Sequence, residues 1–242
     1  MTDARNWFEP VPEPRKRRLP GLRRQGRAIE RNGRRLVDFA SNDYLGLAAH
    51  EAVKQAAADT IRQQGLGSGA SRLVSGDDPE LHALERTLAE WKRAEAALVL
   101  GSGMLANLGL IQAVAGRHDT IFADRLNHAS LIDGARLSGA RLRRYPHRDL
   151  EALERMLARA EGSGRRIIVS DGVFSMDGDR ADVAGLIRLA EEYDALLILD
   201  DAHGLGVLGP EGAGLVREAG LSGHPRLVEV GTFGKALGGY GA

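Results

Sequence analysis

From Ala96 to Phe233 the sequence alternates short apolar runs with amphipathic stretches, and this alternation restricts the possible folds more than any other feature. The apolar or β-rich runs are "AALVLG", "TIFAD", "RLRRYP", "RRIIVSDG", "ALLILDDAHG" and "RLVEVGTFG". Between them lie "ANLGLIQAVAG", "ASLIDGARLSG", "DLEALERMLARAEG" and "ADVAGLIRLAEEY", which read as helices. Repeated strand–helix alternation predicts an α/β fold, a mostly parallel sheet with helices on both faces. Upstream, "EAVKQAAADTIRQQG" and "PELHALERTLAEWKRA" space apolar residues by three and four and predict two more helices, with Pro79 suited to the first turn of the second. "RRLVDFASNDYLGL" reads as a short strand and a turn formed by Asn42 and Asp43.

In an open parallel sheet, ligands gather in the crevice beyond the carboxyl ends of the strands. The polar residues directly after the apolar runs are therefore the candidates: "GSGMLAN", "DRLNHAS", "DGVFSMDGD", "DDAHG" and "TFGK". The first four each have a purely structural alternative. "GSGMLAN" offers free N–H groups to a phosphate at a helix N-terminus, or is a plain strand–helix connection. His128 is a surface residue if Asn127 or Ser130 merely caps a helix there, and Ser175 is a turn serine beside Asp177 and Gly178. Asp200 with His203 puts a carboxylate and an imidazole in one pocket, against the alternatives of a turn cap or a metal site. No G-x-S-x-G elbow follows a strand, so no Ser-His-Asp hydrolase is indicated.

Lysine sharpens the choice. Of 33 basic residues, just Lys16, Lys54, Lys92 and Lys235 are lysine, and an arginine-rich chain that keeps a lysine in "TFGK" points to a need for a neutral, nucleophilic amine. Together the candidates match the needs of pyridoxal 5'-phosphate. Lys235 would hold its aldehyde, Asp200 would keep its pyridine nitrogen protonated, and the Ser102–Gly103–Met104 turn would cradle its phosphate.

Composition sets outer limits. With 242 residues, 43% apolar, the chain has room for one large domain or two modest ones, and we divide it into a basic N-terminal arm, 1–40, and a large domain, 41–242. The absence of cysteine excludes disulfides and thiol nucleophiles. No apolar run approaches the roughly 20 residues of a membrane helix, and the first residues lack the apolar core of a secretion signal, so we read the protein as cytoplasmic and free of the membrane. Residues 1–35 carry 11 Arg/Lys against 4 Asp/Glu, but no interleaved aromatics or recognition module accompany them, which argues against nucleic acid.

Through "FASNDYLGLA", "GSGASRLVSG", "LNHASLIDGARLS", "SDGVFSMDGD", "LDDAHGLGVLG" and "GTFGKALGG", the chain from about Arg35 to Ala242 resembles the α-oxoamine synthases, fold-type I pyridoxal-phosphate enzymes. "DDAHG" resembles the oxononanoate-forming branch, where aminolevulinate synthases tend to "DEVHA", serine palmitoyltransferases to "DEAHS" and aminoketobutyrate ligases to "DDSHA". The resemblance implies that Lys235 carries the cofactor covalently, Asp200 pairs with the pyridine nitrogen, His203 and Ser175 meet the ring hydroxyl oxygen, and His128 stacks on the ring and faces the substrate. It implies that Gly103 and Met104, with Thr232, hold the phosphate. Lys235, His128 and Asp200 are then the catalytic set. The implied reaction is the decarboxylative condensation of L-alanine with a pimeloyl thioester, on coenzyme A or an acyl carrier protein, by a cytoplasmic homodimer in biotin synthesis. The other α-oxoamine synthases, or an inactive fragment, are the alternatives. The family also implies a small C-terminal domain, absent here, and a basic residue near the N-terminus for the acyl substrate, which falls at Lys16, Arg17 or Arg18. Because the sequence ends seven residues after Lys235, the residues around that lysine are expected to be poorly ordered.

Overall fold

The computed structural model describes residues 22–25 and 28–242, and Lys16, Arg17 and Arg18 lie outside them. The chain divides between Ser41 and Asn42 into two units. Within the stretch expected as an arm, β1 (Leu22–Gln25), β2 (Ala28–Arg31) and β3 (Arg34–Leu36) form an antiparallel meander. Asn32 and Gly33, both at positive φ (52° and 75°), make the two-residue turn between β2 and β3. That turn needs residues that tolerate left-handed backbone, and an Asn-Gly pair supplies them.

The larger unit holds a five-stranded sheet in the order β5–β4–β6–β7–β8, every pairing parallel. Its strands are β4 (Thr120–Asp124), β5 (Arg141–Tyr145), β6 (Arg166–Asp171), β7 (Ala195–Asp200) and β8 (Leu227–Val230). Its helices are α1 (Glu51–Gln64), α2 (Pro79–Lys92), α3 (Gly103–Val114), α4 (Ala129–Leu137), α5 (Leu150–Ala158), α6 (Val183–Glu192) and the short α7 (Leu215–Glu218). The side chains of Ser102, Asp149 and Asp182 cap α3, α5 and α6, each accepting an N–H of its helix's first turn, which satisfies donors that have no intrahelical partner.

Two cores flank the sheet, as the period of two along each strand requires. Ile121, Ile167, Val169 and Ile198 pack with Ile111 of α3 and Leu131 of α4. Their alternates Phe122, Ile168, Leu197 and Leu199 pack with Leu153 of α5 and Leu186 of α6. Both strand faces are thus apolar, which explains why β6 and β7 read as continuous β-branched and leucine runs rather than alternating ones. Full burial of each such side chain contributes about 1.5–3 kcal/mol.

Two expectations are corrected. "AALVLG" is not a strand of the sheet; Leu100 exchanges two backbone hydrogen bonds with Ala242 (2.8 and 2.9 Å), a single residue pair too short to make a ladder. The residues after Lys235 are not loose either. Gly241 O accepts from Phe233 N (2.9 Å) and from the Thr232 hydroxyl (3.0 Å), so the segment folds back over its own turn and ties its backbone groups there.

Candidate active site

Five loops leave the carboxyl ends of the strands or enter the helices beside them, and a pocket of about 200 Å³ opens between them. All eight residues singled out from the sequence line it: Gly103, Met104, His128, Ser175, Asp200, His203, Thr232 and Lys235. A shallower recess of about 300 Å³ at the opposite end of the sheet holds His118 and Asp119, but Asp119 is occupied there in accepting the N–H groups of Gly116 and Arg165.

Lys235 Nζ lies 3.0 Å from His203 Nε2, and His203 Nδ1 lies 2.7 Å from the Tyr44 hydroxyl. Burial, and then the charge of Lys235, push the His203 imidazole down to about 4, so it is neutral at physiological pH. Its Nε2 lone pair accepts from the lysine, which leaves Nδ1 to donate to Tyr44. Burial also lowers the Lys235 amine, against the opposing pull of Asp200 and Asp171. The arrangement weakens the hold of the amine on its proton.

Asp200 ends β7 and is 7% exposed. Its oxygens accept from Asn107 Nδ2 (2.6 Å) and from Ala202 N (3.0 Å), amide donors that leave the buried carboxylate without a cation in contact. Asn107 Nδ2 also bonds the Ser130 hydroxyl at 2.9 Å, and Ser130 Oγ lies 2.7 Å from His128 Nδ1. Asp200 and His128 are therefore ends of one chain of hydrogen bonds. His128 itself caps α4, its Nδ1 accepting from Ser130 N, where the sequence suggested Asn127 or Ser130 as the cap. With Nδ1 accepting, the ring proton sits on Nε2.

Three pocket residues were missed, and with them Tyr44, which bonds His203 of the pocket. Asp171 ends β6 as Asp200 ends β7, and the two are register partners. Burial, then the charge of Asp200, push Asp171 up to about 7, although its oxygen accepts His128 N–H at 2.8 Å. Its signal was its position at the end of an apolar run. Asn107 and Ser130 are each 1% exposed, and a buried amide in the apolar run of α3 was a readable sign of a polar network. Tyr44, far away in sequence, carried no local signal.

Three features fit pyridoxal phosphate. Asp200 offers a buried anion to a pyridinium N–H, and Asn107 Oδ1 is a buried acceptor without a partner beside it. The N-terminus of α3 abuts Thr232, for a side chain on Gly103 would stand 3.6 Å from the threonine Cβ. The backbone N–H groups of that first turn have no intrahelical acceptor and suit an anion.

The sequence profile of the class I and II aminotransferases matches residues 34–242. This chain belongs to that family. Within the family it is similar to the 8-amino-7-oxononanoate synthase of Alkalilimnicola ehrlichii, 54% identical over 235 residues that cover 93% of this chain and 60% of the relative. The synthase of Trichlorobacter lovleyi is 55% identical over 230 residues, covering 92% of this chain and 58% of the relative. The chain thus spans less than two thirds of the length of these curated relatives. Among solved structures, a serine palmitoyltransferase variant from S. paucimobilis with bound PLP–myriocin superposes with a TM-score of 0.82 at 28% identity, over 88% of this chain and 54% of that one. The 8-amino-7-oxononanoate synthase of Francisella tularensis superposes with a TM-score of 0.71 at 32% identity, over 85% of this chain and 57% of that one. Among the described residues, no helix of this aminotransferase-family chain is long and apolar enough to cross a membrane.

Proposed function

We propose that this chain is the cofactor-binding part of an 8-amino-7-oxononanoate synthase, condensing L-alanine with a pimeloyl thioester on coenzyme A or an acyl carrier protein. The observation that carries the reading is the pocket itself, where a lysine amine of lowered proton affinity and a buried aspartate held by amide donors face one cavity. The choice of substrate rests on the 54% identity to the 8-amino-7-oxononanoate synthase of Alkalilimnicola ehrlichii.

When bound, the pyridoxal phosphate ring draws electrons from the substrate carbon. Asp200 would hold the proton on the ring nitrogen, and the Asn107–Ser130–His128 chain fixes that carboxylate in place. Lys235 would carry the resting cofactor and, once displaced by alanine, take and return the proton at the substrate Cα. His128 would lie on the ring face, His203 and Ser175 would meet its hydroxyl oxygen, and the Gly103 and Met104 N–H groups with the Thr232 hydroxyl would hold its phosphate. A homodimer in the cytosol completes the reading, with Lys16, Arg17 or Arg18 meeting the acyl substrate.

The test is thioester-dependent release of free thiol in the presence of the cofactor, with L-alanine, glycine and L-serine compared as donors. A preference for L-alanine supports the assignment. A preference for glycine moves the chain to the aminolevulinate or aminoketobutyrate branch, and one for serine to the palmitoyltransferases.

A further inference from the structure

Outside the pocket, the His147 ring stands between two acids. His147 follows β5 and has both ring nitrogens occupied: Nδ1 lies 3.0 Å from Asp124 Oδ1 and Nε2 lies 2.9 Å from Asp179 Oδ2. Ionised carboxylates only accept, so both nitrogens must donate, which requires the doubly protonated ring. Asp124 ends β4, is 1% exposed, and spends its remaining capacity on the N–H groups of Leu126 and Arg148. Asp179 also takes the Arg148 guanidinium at 3.0 Å.

The second acid matters because of where it sits. Asp179 belongs to a hairpin closed by the Val173–Arg180 bridge and by bonds from Phe174 N to Asp179 O (3.0 Å) and from Gly178 N to Phe174 O (2.8 Å). Phe174, 1% exposed, packs edge-on against the His147 ring with centroids 4.4 Å apart. The next residue, Ser175, lines the pocket. His147 therefore grips this hairpin by its ring contact and by its carboxylate, and anchors it to the end of β4.

We propose that His147 is a positioning residue whose imidazolium clamps the 173–180 hairpin to Asp124 and so holds Ser175 at the pocket, and that loss of one ring proton releases half of the clamp. The charged groups around the ring are Asp124, Asp179 and Arg148, with the Tyr145 phenol buried beside Asp124. Burial opposes the charge on His147, but the bonds to Asp124 and Asp179 outweigh it and raise the imidazole above its ordinary 6.5. Stability from the clamp is therefore complete below pH 6.5 and is lost as the pH rises through the raised value.

The link from hairpin to cofactor rests on the pocket assignment above, so the clamp is tested without cofactor. Amide hydrogen exchange of the whole chain is followed from about pH 6 to about pH 9, with NMR detection of the His147 ring. The protection factor of the Gly178 amide is expected to fall about threefold or more across that range in the wild type, in step with His147 deprotonation. In His147→Gln it should be low and flat. In Asp179→Asn, which keeps an acceptor but removes the demand for a second ring proton, the break should shrink; this variant decides the matter if His147→Gln fails to fold. A ring that titrates below 6.5, or a break that persists in His147→Gln, overturns the clamp. Pyridoxal phosphate affinity, read by absorbance at neutral pH, should be severalfold weaker in His147→Gln. Unchanged affinity alongside a lost clamp overturns the step from the hairpin to the pocket, and borohydride labelling of Lys235 reads the pocket assignment separately.

Discussion

Asp171 and Asp200 are register partners at the carboxyl ends of β6 and β7, 6% and 7% exposed, so two acids share one wall of the pocket. The structure treats them differently. Asp200 is held by amide donors, while burial and its neighbour's charge raise Asp171 to about 7. The folded protein keeps the Asp171 proton between pH 3.8 and about 7, where the unfolded chain has lost it. Stability falls as pH rises through that window and levels off above it.

Asp171→Asn should remove that slope. The amide oxygen can still accept His128 N–H, and above neutral pH the cofactor-free variant should be more stable than the wild type by about 2–4 kcal/mol. Denaturant unfolding at about pH 5 and about pH 8 checks this, and an unchanged pH slope in the variant shows that Asp171 is charged throughout.

Reduction of the cofactor-loaded protein with borohydride, followed by peptide mapping, should place the label on Lys235. Label on Lys54 or Lys92 ends the assignment. Lys54 is tied to Glu51 on the exposed face of α1, and Lys92 is bonded to Glu229 and Ala213 O, away from the pocket.

Asp200→Asn should leave the covalent label on Lys235 but slow exchange of the L-alanine Cα proton with deuterated solvent by about 10–150-fold. That factor corresponds to the loss of a charge-assisted bond worth about 1.5–3 kcal/mol. Exchange at the wild-type rate would show that Asp200 does not support the ring.

Gly134 sits where α4 meets α3, and a Cβ there would stand 3.0 Å from Ile111 Cδ1 and 3.1 Å from Asn107 O. Gly→Ala within a helix ordinarily stabilises by about 0.5–1 kcal/mol. Here overpacking should reverse the sign, destabilising by about 1–3 kcal/mol and disturbing Asn107 beneath Asp200. Denaturant unfolding of Gly134→Ala decides between the two; a gain in stability means the helices separate freely.

The strands and helices from Thr120 to Val230 were legible because their signals are local: "RRIIVSDG" and "ALLILDDAHG" carry apolar runs bounded by polar turns, and Asp149 and Asp182 cap the helices they precede. Parallel topology then sent every candidate loop to one edge, so Lys235, Asp200 and His128 could be named together before any distance was known. "AALVLG" misled for the converse reason. A strand is defined by its partner, and the partner of Leu100 is Ala242, more than half the chain away.

The sequence by itself determined the order of the elements, the α/β class and which turns hold reactive side chains, since periodicity and turn chemistry act over a few residues. Tertiary structure alone decided that Asp171 stands beside Asp200, that Tyr44 reaches His203, that Asn107 joins Asp200 to the His128 cap, and that His147 lies between two acids. Charge state belongs to the same class. The lowered Lys235 and His203 and the raised Asp171 follow from burial and from neighbours brought in by the fold. A residue's desolvation is set by everything packed around it, and no stretch of sequence contains that information.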